Sequence, residues 1–521
     1  KQDGSQAPLP IHVAWMGAYG DLEEVMPWVS VQPIRIEHEQ ELACLKLVEV
    51  NRIFETLSFL SNDMGVLSAS VSVAKNEQER EALQGWYWYD WANQAFALTV
   101  LTVVVPALTA SMYNTATGTQ SGDSFYAMVL GLSSLFVALV SPVLGAIADT
   151  SGRRMPWIYV FSIMLIIGSL GTWVGVPDGS NLTLMLYFFA LGYIGTEFAL
   201  IFTNAQLTTL GSQSEIGKIS GSGFGFGYLG GVFALAIALL FLVEQPNGKT
   251  FMLGIEPLFG FLNPEQMEGT RFVGPLAAIW FVIFAIPYFR NTKDDPTLLD
   301  KINIAKGLRD LVQLLKGLRA RRSMSAYLVS SMFYRDAMNG LYSFGGVYAA
   351  LVLDWTITQL GVFGIIAALG AALFSWLGGK ADSLLGPKPV ITFCIYVMIL
   401  VCITIVGMTP NSLFGIQLAD GSTLPDTIFM ICGVLIGGFG GAMQAASRTM
   451  MVRHTTLERA TEAFGLYGLM GRATAFLAPT LIGIVTAITQ SPRIGVSPLI
   501  GLFIIGLIIL MWVDADGESS S

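Results

Sequence analysis

An acid and an amide recur at the same spacing in two apolar stretches of the chain. Asp90 precedes Asn93 at the start of the first long apolar segment, and Asp336 precedes Asn339 inside the seventh. Side chains three positions apart share one face of a helix. A carboxylate at the centre of a membrane costs about 2.5–3.5 kcal/mol, so it normally faces a partner or a wet cavity. The two copies therefore predict a duplicated membrane protein whose halves enclose a polar path.

Three other charged residues in apolar stretches suggest how a solute is handled. Arg335 suits a bidentate contact with a substrate carboxylate. Asp336 is expected either to pair with Arg472 or to titrate, and a permanent structural ion pair is the alternative for both Asp336 and Arg335. Glu197 is the only acid deep in the fourth apolar stretch. A carboxyl group in a low-dielectric site suits proton loading and release, and the alternative is a hydrogen bond to a neighbouring helix.

Two charged residues are expected nearer the membrane surface. Asp90 lies just behind the aromatic cluster at 86–89, which is typical of a membrane interface. Its simplest role is to position the start of the first helix. Arg448 lies towards the end of the tenth stretch and is expected to extend its charged head to the interface. We therefore expect Asp336, and not Asp90, to be the working acid of the repeated pair.

Composition defines the class of protein that must position these residues. The 521-residue chain is 53% hydrophobic and 12% charged, against about 25% charged residues in soluble proteins. Its cysteines and histidines lack disulfide-framework or metal-ligand spacing. It contains no nucleotide-binding loop, nucleophile–base pair or nucleic-acid-binding module. We therefore expect a membrane protein that is not an enzyme, needs no cofactor and binds no nucleic acid.

The pattern of apolar runs predicts an all-α membrane protein with twelve transmembrane helices in two six-helix bundles. The predicted spans are 87–112, 124–147, 157–176, 182–208, 220–243, 272–289, 325–352, 358–378, 389–408, 427–450, 462–489 and 497–513. The predicted domains are an N-terminal extension at 1–80, bundles at 86–289 and 324–513, a connector at 290–323 and an acidic tail at 514–521. The extension is expected to be either a soluble segment or an artefact upstream of Met64.

Basic residues are concentrated in one set of loops and in the connector. The alternate loops carry only Lys249, Arg271 and Arg493. By the positive-inside rule this asymmetry places both termini in the cytoplasm. In the connector, leucines repeat at helical spacing with basic residues between them. This pattern predicts an amphipathic helix on the inner leaflet, and a simple tether between the halves is the alternative.

Two turns repeat in the corresponding places of the two halves. The first copy is Gly145-Ala146-Ile147-Ala148-Asp149 followed by Gly152-Arg153-Arg154 and Pro156, and the second is Gly378-Gly379-Lys380-Ala381-Asp382 followed by Gly386-Pro387-Lys388-Pro389. Phe224-Gly225 with Gly231 also matches Phe464-Gly465 with Gly471 at equal spacing. These matches predict that the halves are parallel repeats.

The repeated turn resembles the signature loop of the major facilitator superfamily, although the second copy has Pro387-Lys388 where two bases are usual. In that superfamily the acid and bases of the loop hold the cytoplasmic side closed. The resemblance thus assigns gating to Asp149, Gly152, Arg153, Arg154, Asp382, Gly386 and Lys388. For the basic residues taken alone, the alternative is that they only mark topology.

A narrower resemblance, to the vacuolar-effluxer-like branch of the superfamily, covers about residues 86–513. Five motifs carry it, at 89–96, 219–231, 334–348, 444–448 and 464–474. In this superfamily the first, fourth, seventh and tenth spans line the cavity. The resemblance therefore implies a substrate site at Arg335, Asn339, Asn93, Gln94, Asn204 and Gln444, and proton-coupling or ion-pair roles for Asp336, Glu197, Arg472 and Asp90.

The leading functional hypothesis is a secondary active transporter that works by alternating access. We expect proton-coupled transport or export of amino acids or similar small zwitterions, by a monomer surrounded by membrane lipids. The alternatives are efflux of another small molecule, such as a drug, sugar or metabolite, and a transport-inactive membrane sensor or scaffold. A bacterial inner membrane is the favoured location, and a vacuolar membrane is the alternative.

Overall fold

The computed structural model describes residues 77–118, 121–245, 247–294, 299–419 and 421–517. The predicted extension at 1–80 lies outside the described residues except for its last four. The acidic tail at 514–521 is described only as far as residue 517. The described chain is almost entirely helical, as the long apolar runs predict.

Six helical spans form the first half of the molecule within the described residues. They are span 1, Glu77–Thr117; span 2, Gly122–Asp149; span 3, Met155–Gly171; span 4, Leu182–Gln206; span 5, Gln213–Phe241; and span 6, Glu268–Asn291. Span 1 starts ten residues before the predicted position at 87. The polar sequence at its beginning hides the helix from an analysis based on apolar runs alone.

Six spans within the described residues also form the second half. They are span 7, Arg322–Val352; span 8, Ile357–Leu385; span 9, Pro387–Gly407; span 10, Leu424–Arg453; span 11, Leu457–Thr489; and span 12, Ser497–Leu510. Eleven of the twelve spans are long and apolar enough to cross a membrane by composition when adjoining short helices are included, which extends span 3 to Val174 and begins span 12 at Pro492. Span 7 is long enough but more polar, because it carries Arg335 and Asp336 among several serines.

Local sequence signals mark several helix ends. Ser212 with Glu215 and Thr356 with Gln359 form capping boxes at the starts of spans 5 and 8. Gly386 has a φ of +86° and separates spans 8 and 9, a conformation that favours glycine. The residues 378–382, predicted to belong to a turn, are instead the last turns of span 8.

Two spans are irregular near the centre of the molecule. Span 1 changes to a π-helix at Phe96–Val104, a form that is often found at functional sites. Span 11 consists of the helices Ala460–Ala473 and Leu477–Thr489 with a break between them. These irregularities lie in spans that also supply charged side chains to the interior.

The two halves contact each other through glycines near one end of the bundle. A Cβ added at Gly465 in span 11 would lie 2.6 Å from the Ser141 carbonyl oxygen in span 2. A Cβ added at Gly225 in span 5 would lie 2.7 Å from the Ala372 carbonyl oxygen in span 8. Small residues allow helix backbones to approach this closely. The repeated Phe-Gly pairs therefore mark the seams between the halves.

We call the end of the bundle that carries residues 150–154, 207–212, 299–321 and 454–459 the basic face. The opposite face carries a short antiparallel sheet, Met408–Thr409, Ser412–Leu413 and Ile416–Gln417, between spans 9 and 10. The seams between spans 2 and 11 and between spans 5 and 8 lie towards the basic face. The halves are therefore closed against each other at that face.

Candidate functional site

A polar cavity of about 320 Å³ lies between the two halves. Spans 1, 4, 5, 7, 10 and 11 contribute its walls. Its lining residues are Asp90, Gln94, Ala97, Glu197, Leu200, Ile201, Asn204, Phe224, Gly227, Tyr228, Arg335, Gln444, Arg448, Phe464, Tyr467, Gly468 and Arg472. We refer to this space as the central cavity. It brings together most of the site residues predicted from the sequence.

The charges of the central cavity are divided between the halves. The first half supplies two carboxylates, Asp90 and Glu197, and the second half supplies three guanidinium groups, Arg335, Arg448 and Arg472. If all five groups are ionised, the lining has one surplus positive charge. The halves therefore attract each other across the cavity, and the cavity itself favours an anionic group.

Arg448 of span 10 binds three spans of the opposite half. Its Nη1 lies 3.4 Å from Asp90 Oδ2 in span 1 and donates to Asn204 Oδ1 in span 4 at 3.0 Å. Its Nε and Nη2 donate to the Ser220 hydroxyl and carbonyl oxygens in span 5 at 3.1 and 2.8 Å. The side chain is 4% exposed. This set of contacts closes the cavity on the side of the basic face.

Aromatic rings complete the surroundings of Arg448. Its guanidinium carbon lies 3.9 Å from the centre of the Phe224 ring and 5.1 Å from that of Trp86, within the range of cation–π attraction. The expectation that Arg448 extends to the interface is therefore wrong. The interpretation of Asp90 as mainly a helix-start residue is also wrong, because Asp90 lies thirteen residues into its helix, about 20 Å along the axis.

Glu197 of span 4 pairs with Arg472 of span 11. Arg472 Nη2 donates to Glu197 Oε2, and Nη1 donates to the Gly468 carbonyl oxygen at 3.1 Å. The side chains are 20% and 16% exposed, so the pair borders the cavity. The expected pairing of Arg472 with Asp336 is wrong, because Arg472 faces the opposite half of the molecule and Asp336 packs within its own half.

Arg335 is the third cation of the cavity, and it forms no ion pair among the described residues. Its Nη1 donates to the Tyr467 carbonyl oxygen at 2.9 Å, and its guanidinium carbon lies 4.0 Å from the centre of the Tyr467 ring. Gly471 leaves room for it, because an added Cβ would lie 2.5 Å from the guanidinium. Arg335 is therefore held in place while its charge is available to a ligand.

The predicted amides are only partly gathered in the cavity. Gln94, Asn204 and Gln444 line it, and Gln444 Nε2 lies 3.5 Å from the Tyr228 hydroxyl. Asn93 is only 1% exposed and does not line the cavity. Asn339 also lies outside the cavity lining, and its side chain is exposed on the outside of the protein. The spacing of three that joins Asp90 to Asn93 places them on the same side of a helix, but not in the same cavity.

Asp336 occupies a different position from its counterpart Asp90. It is fully buried, and its Oδ2 accepts a hydrogen bond from the Ala478 backbone N–H at 3.0 Å. Ala478 lies at the start of the second helix of span 11. A carboxylate is stabilised at a helix N-terminus. Asp336 therefore supports the break in span 11 and does not line the central cavity.

The first signature loop connects the two halves at the basic face. Asp149 Oδ2 accepts from the Glu462 N–H at 2.8 Å, and Oδ1 accepts from the Thr461 N–H at 3.3 Å. Arg154 lies 3.5 Å from Asp149 and donates to the Thr461 hydroxyl and the Leu457 carbonyl oxygen at 3.0 and 2.7 Å. These bonds attach the end of span 2 to the start of span 11.

The second copy of the loop has a different arrangement. Asp382 is 1% exposed and packs against Gly217 of span 5, where a Cβ would lie 2.5 Å from its carboxyl carbon. Lys388 Nζ donates to the Val513 carbonyl oxygen at 2.7 Å, inside its own half. In the first copy, Gly152 has a φ of +65° and Arg153 is exposed. The second copy thus reaches across the seam through Asp382 and through Gly379, where an added Cβ would lie 2.8 Å from the Gly217 carbonyl oxygen, while its basic residue Lys388 stays within its own half.

Several residues that line or adjoin the central cavity were not predicted as site residues from the sequence. Tyr228, Tyr467 and Ser220 orient charged or amide groups, and Phe224 and Phe464 form parts of the wall. The signal for the two phenylalanines was present, because each belongs to the Phe-Gly pair repeated in spans 5 and 11. Within the described residues, no group of three His, Cys, Asp or Glu residues is arranged to hold a metal ion.

Two six-span bundles around a polar cavity define the major facilitator fold, and solved structures share this fold. The chain resembles the outward conformation of the transporter FucP, with a TM-score of 0.60 and 14% identity over 83% of this chain and 97% of that one. It also resembles the human organic anion transporter MFSD10, with a TM-score of 0.62 and 15% identity over 84% and 100%. The fold-class prediction is confirmed.

The particular family follows from the sequence comparison. The chain belongs to the vacuole effluxer Atg22-like family, whose pattern matches residues 78–519. It is 25% identical to the uncharacterized MFS-type transporter YxiO of Bacillus subtilis strain 168, over 83% of this chain and 94% of that protein. It is 20% identical to autophagy-related protein 22 of Kluyveromyces lactis, over 84% and 94%. The chain is thus a multi-pass membrane transporter of small molecules and not an enzyme.

Proposed function

We propose that the protein is a proton-coupled secondary transporter that exports amino acids or similar small zwitterions by alternating access. The observation that carries this proposal is Arg335, a cavity guanidinium without an ion-pair partner among the described residues. A fixed guanidinium offers two parallel donors to a carboxylate. The surplus positive charge of the cavity favours a substrate with that group.

The same cavity has groups for a substrate amine. Glu197 and Asp90 supply carboxylates, and Gln94, Asn204 and Gln444 supply amide oxygens. The cavity volume of about 320 Å³ is at the small end of ligand sites. A zwitterion of amino-acid size therefore matches the cavity in both charge and size.

The Glu197–Arg472 pair is the proposed coupling device. The pair joins the two halves, so it must break when they rock apart. Protonation of Glu197 removes the attraction and releases Arg472, while loss of the proton restores the pair. Asp336 is proposed as a second proton site, because its other carboxylate oxygen accepts no described hydrogen bond.

The contacts that close the basic face support an outward-facing conformation. If the basic loops face the cytoplasm, the bonds from Asp149 and Arg154 close the cytoplasmic side and the molecule is outward-facing. In this proposal Gly152, Arg153, Asp382, Gly386 and Lys388 take part when the seams open and re-form. The proposed location is a bacterial inner membrane with both termini in the cytoplasm, and the proposed unit is a monomer.

The test is flux in proteoliposomes across an imposed pH gradient. We expect radiolabelled amino acids to move against their own gradient when a proton gradient is present, and Glu197→Gln to abolish the dependence on pH while retaining exchange. A protonophore provides the control for coupling. Absence of gradient-dependent flux across a broad amino-acid panel contradicts the proton-coupled amino-acid proposal.

The aromatic lining favours one alternative substrate class. Phe224, Tyr228, Phe464 and Tyr467 give the cavity an apolar wall, which suits a ring-bearing metabolite that also carries a carboxylate. A thermal-shift panel of aliphatic amino acids, aromatic amino acids and aromatic carboxylates lacking an amine separates the two classes. Stabilisation by the amine-free acids alone supports the alternative.

A further inference from the structure

The helix in the connector touches both halves of the molecule at the basic face. This connector helix is Ile304–Gly317. An added Cβ at its Gly307 would lie 3.0 Å from the Ala146 carbonyl oxygen of span 2. Its Leu311 and Leu314 are buried in a cluster that includes Leu466 of span 11. The connector helix therefore lies across the seam between spans 2 and 11.

A polar contact strengthens the attachment on each side of the seam. The Asn303 N–H donates to the Thr150 hydroxyl at 3.1 Å, just beyond the end of span 2. Arg459 Nη2, just before the first helix of span 11, donates to the Asp310 carbonyl oxygen at 3.2 Å. Movement of the connector helix is thus coupled to the distance between the two spans that close the basic face.

The depth of the connector helix is set by its contacts with span 2. Ala146 and Ile147 lie two or three residues before the end of span 2 at Asp149. At about 1.5 Å per residue, the connector helix lies within roughly 5 Å of the end of the span. This is the level at which acyl chains give way to headgroups around an apolar span.

The connector helix has three different sides at this level. One side packs on the protein through the glycine and leucines described above. The next side is apolar but exposed, with exposed fractions of 59%, 43%, 47% and 45% at Ile304, Leu308, Val312 and Leu315. The remaining side carries exposed cations at Lys306, Arg309 and Lys316, with Asp310 as the one acid of the connector helix.

We propose that the connector helix binds anionic lipid headgroups and that this binding stabilises closure of spans 2 and 11. Its apolar side suits insertion among acyl chains, and its cations then meet the headgroups of the same leaflet. Neutral lipids satisfy the apolar side but not the three positive charges. The inference depends on the fold and the seam, and it is independent of the substrate carried.

Lipid selectivity is measured directly with a fluorophore at Val312→Cys in proteoliposomes. One set of vesicles contains brominated phosphatidylglycerol in unbrominated phosphatidylcholine. The other set has the same ratio of the two lipids, but the phosphatidylglycerol is unbrominated and an equal amount of the phosphatidylcholine is brominated. We expect about twofold stronger quenching by the anionic quencher, because the cations enrich that lipid locally. A probe at Tyr396→Cys, an exposed position on span 9, is the matched control and is expected to show no preference.

Charge variants test the cause of the selectivity. Replacing Lys306, Arg309 and Lys316 with Gln is expected to abolish the preference at Val312. The control variant replaces three exposed cations outside the connector helix with Gln, at Lys301, Arg319 and Arg322. It removes the same amount of charge, and we expect it to retain most of the lipid preference. Equal quenching by both lipids in the parent protein overturns the lipid site and favours a protein partner for this surface.

The effect on the gate is measured with spin labels at Gln213→Cys in span 5 and Leu384→Cys in span 8. These positions lie on opposite halves across the second seam of the basic face, so their distance reports whether the two halves separate at that face. We expect a single short distance in anionic vesicles and a broader, longer distribution in neutral ones. The variant in which the three helix cations are replaced is expected to give the longer distribution in both. Selective quenching without any change in this distance overturns the coupling to the gate. Neither readout requires transport, so failure here is separate from failure of the proposed function.

Discussion

At the scale of single residues, the cavity is organised by the sign of its charges. Both acids come from the first half and all three arginines from the second. Each acid pairs with one arginine, and Arg335 has no acid partner among the described residues. A buried ion pair contributes little net stability but is costly to break by removing one partner. The two pairs are therefore better suited to defining alternative states than to strengthening one of them.

Replacement of Arg335 tests the proposed substrate contact. Arg335→Gln removes a charge-assisted bond of about 1.5–3 kcal/mol, so we expect apparent affinity for a carboxylate-bearing substrate to fall roughly 10- to 150-fold. Counterflow in proteoliposomes measures this change. Asn339→Ala alters an exposed amide of the same span outside the cavity and serves as the control. Equal effects of the two variants would contradict the role of Arg335.

The second residue-scale prediction concerns the Glu197–Arg472 pair. Glu197→Gln and Arg472→Gln each leave one charge without its partner, and we expect both to lower thermal stability. The double variant is expected to lose less than the sum of the two, with a coupling of about 0.5–3 kcal/mol. Thermal unfolding of the purified protein in detergent provides the measurement. Strict additivity would show that the contact does not persist in solution.

These charged residues could be recognised from the sequence, but some of the partners predicted for them are wrong. Glu197, Arg472 and Asp336 were recognised as unusual from their apolar surroundings alone. Their partners depend on how each helix is rotated and tilted, which spacing within one helix does not specify. The error for Asp90 had a different source, because the polar start of span 1 concealed thirteen helical residues before it.

At the scale of elements, glycines determine how closely the halves approach. Gly145 and Gly465 lie in the seam of spans 2 and 11, and Gly221 and Gly225 lie in that of spans 5 and 8. The sequence showed the repeated Phe-Gly pairs of spans 5 and 11 as evidence of duplication, but not that they lie in the seams. It did not predict the break in span 11 or the π-helix in span 1, because both depend on contacts from neighbouring spans.

A larger side chain in a seam is predicted to open the basic face. Gly465→Val places new atoms against the Ser141 backbone of span 2. Overpacking costs about 1–3 kcal/mol, enough to shift the closed-to-open ratio by roughly 5- to 150-fold. The spin-label distance between Gln213 and Leu384 is the measurement.

The control for this prediction lies further along the same span. Gly483→Val has the same change in volume, but a Cβ at Gly483 meets no atom within 4 Å. We expect the closed distance to be retained in that variant. An open distribution in both variants would indicate general loosening of span 11 and would count against a specific seam.

At the scale of the whole molecule, the halves and their orientation follow from different signals. Apolar runs and the duplicated motifs identified twelve spans in two halves, and the fold bears this out. Orientation depends only on the distribution of basic loops. The depth and walls of the cavity required the assembled structure, since its lining combines six spans from both halves.

The predicted orientation is tested by labelling cysteines in intact cells. In a background without Cys44, Gln417→Cys in the short sheet is expected to react with a membrane-impermeant maleimide. Ser214→Cys at the basic face is expected to react only after the cells are permeabilised. The described native cysteines, Cys394, Cys402 and Cys432, are buried and give a low background. Reaction of Ser214→Cys in intact cells would reverse the proposed orientation.

Because charge is divided between the halves, neither half could form the same cavity with a second copy of itself. Two copies of the first half would bring four carboxylates into one chamber, and two copies of the second would bring six arginines there. Neither homodimer would have the attraction that now joins the unlike halves. The two halves therefore cannot replace each other, and a single covalent chain supplies them in equal numbers.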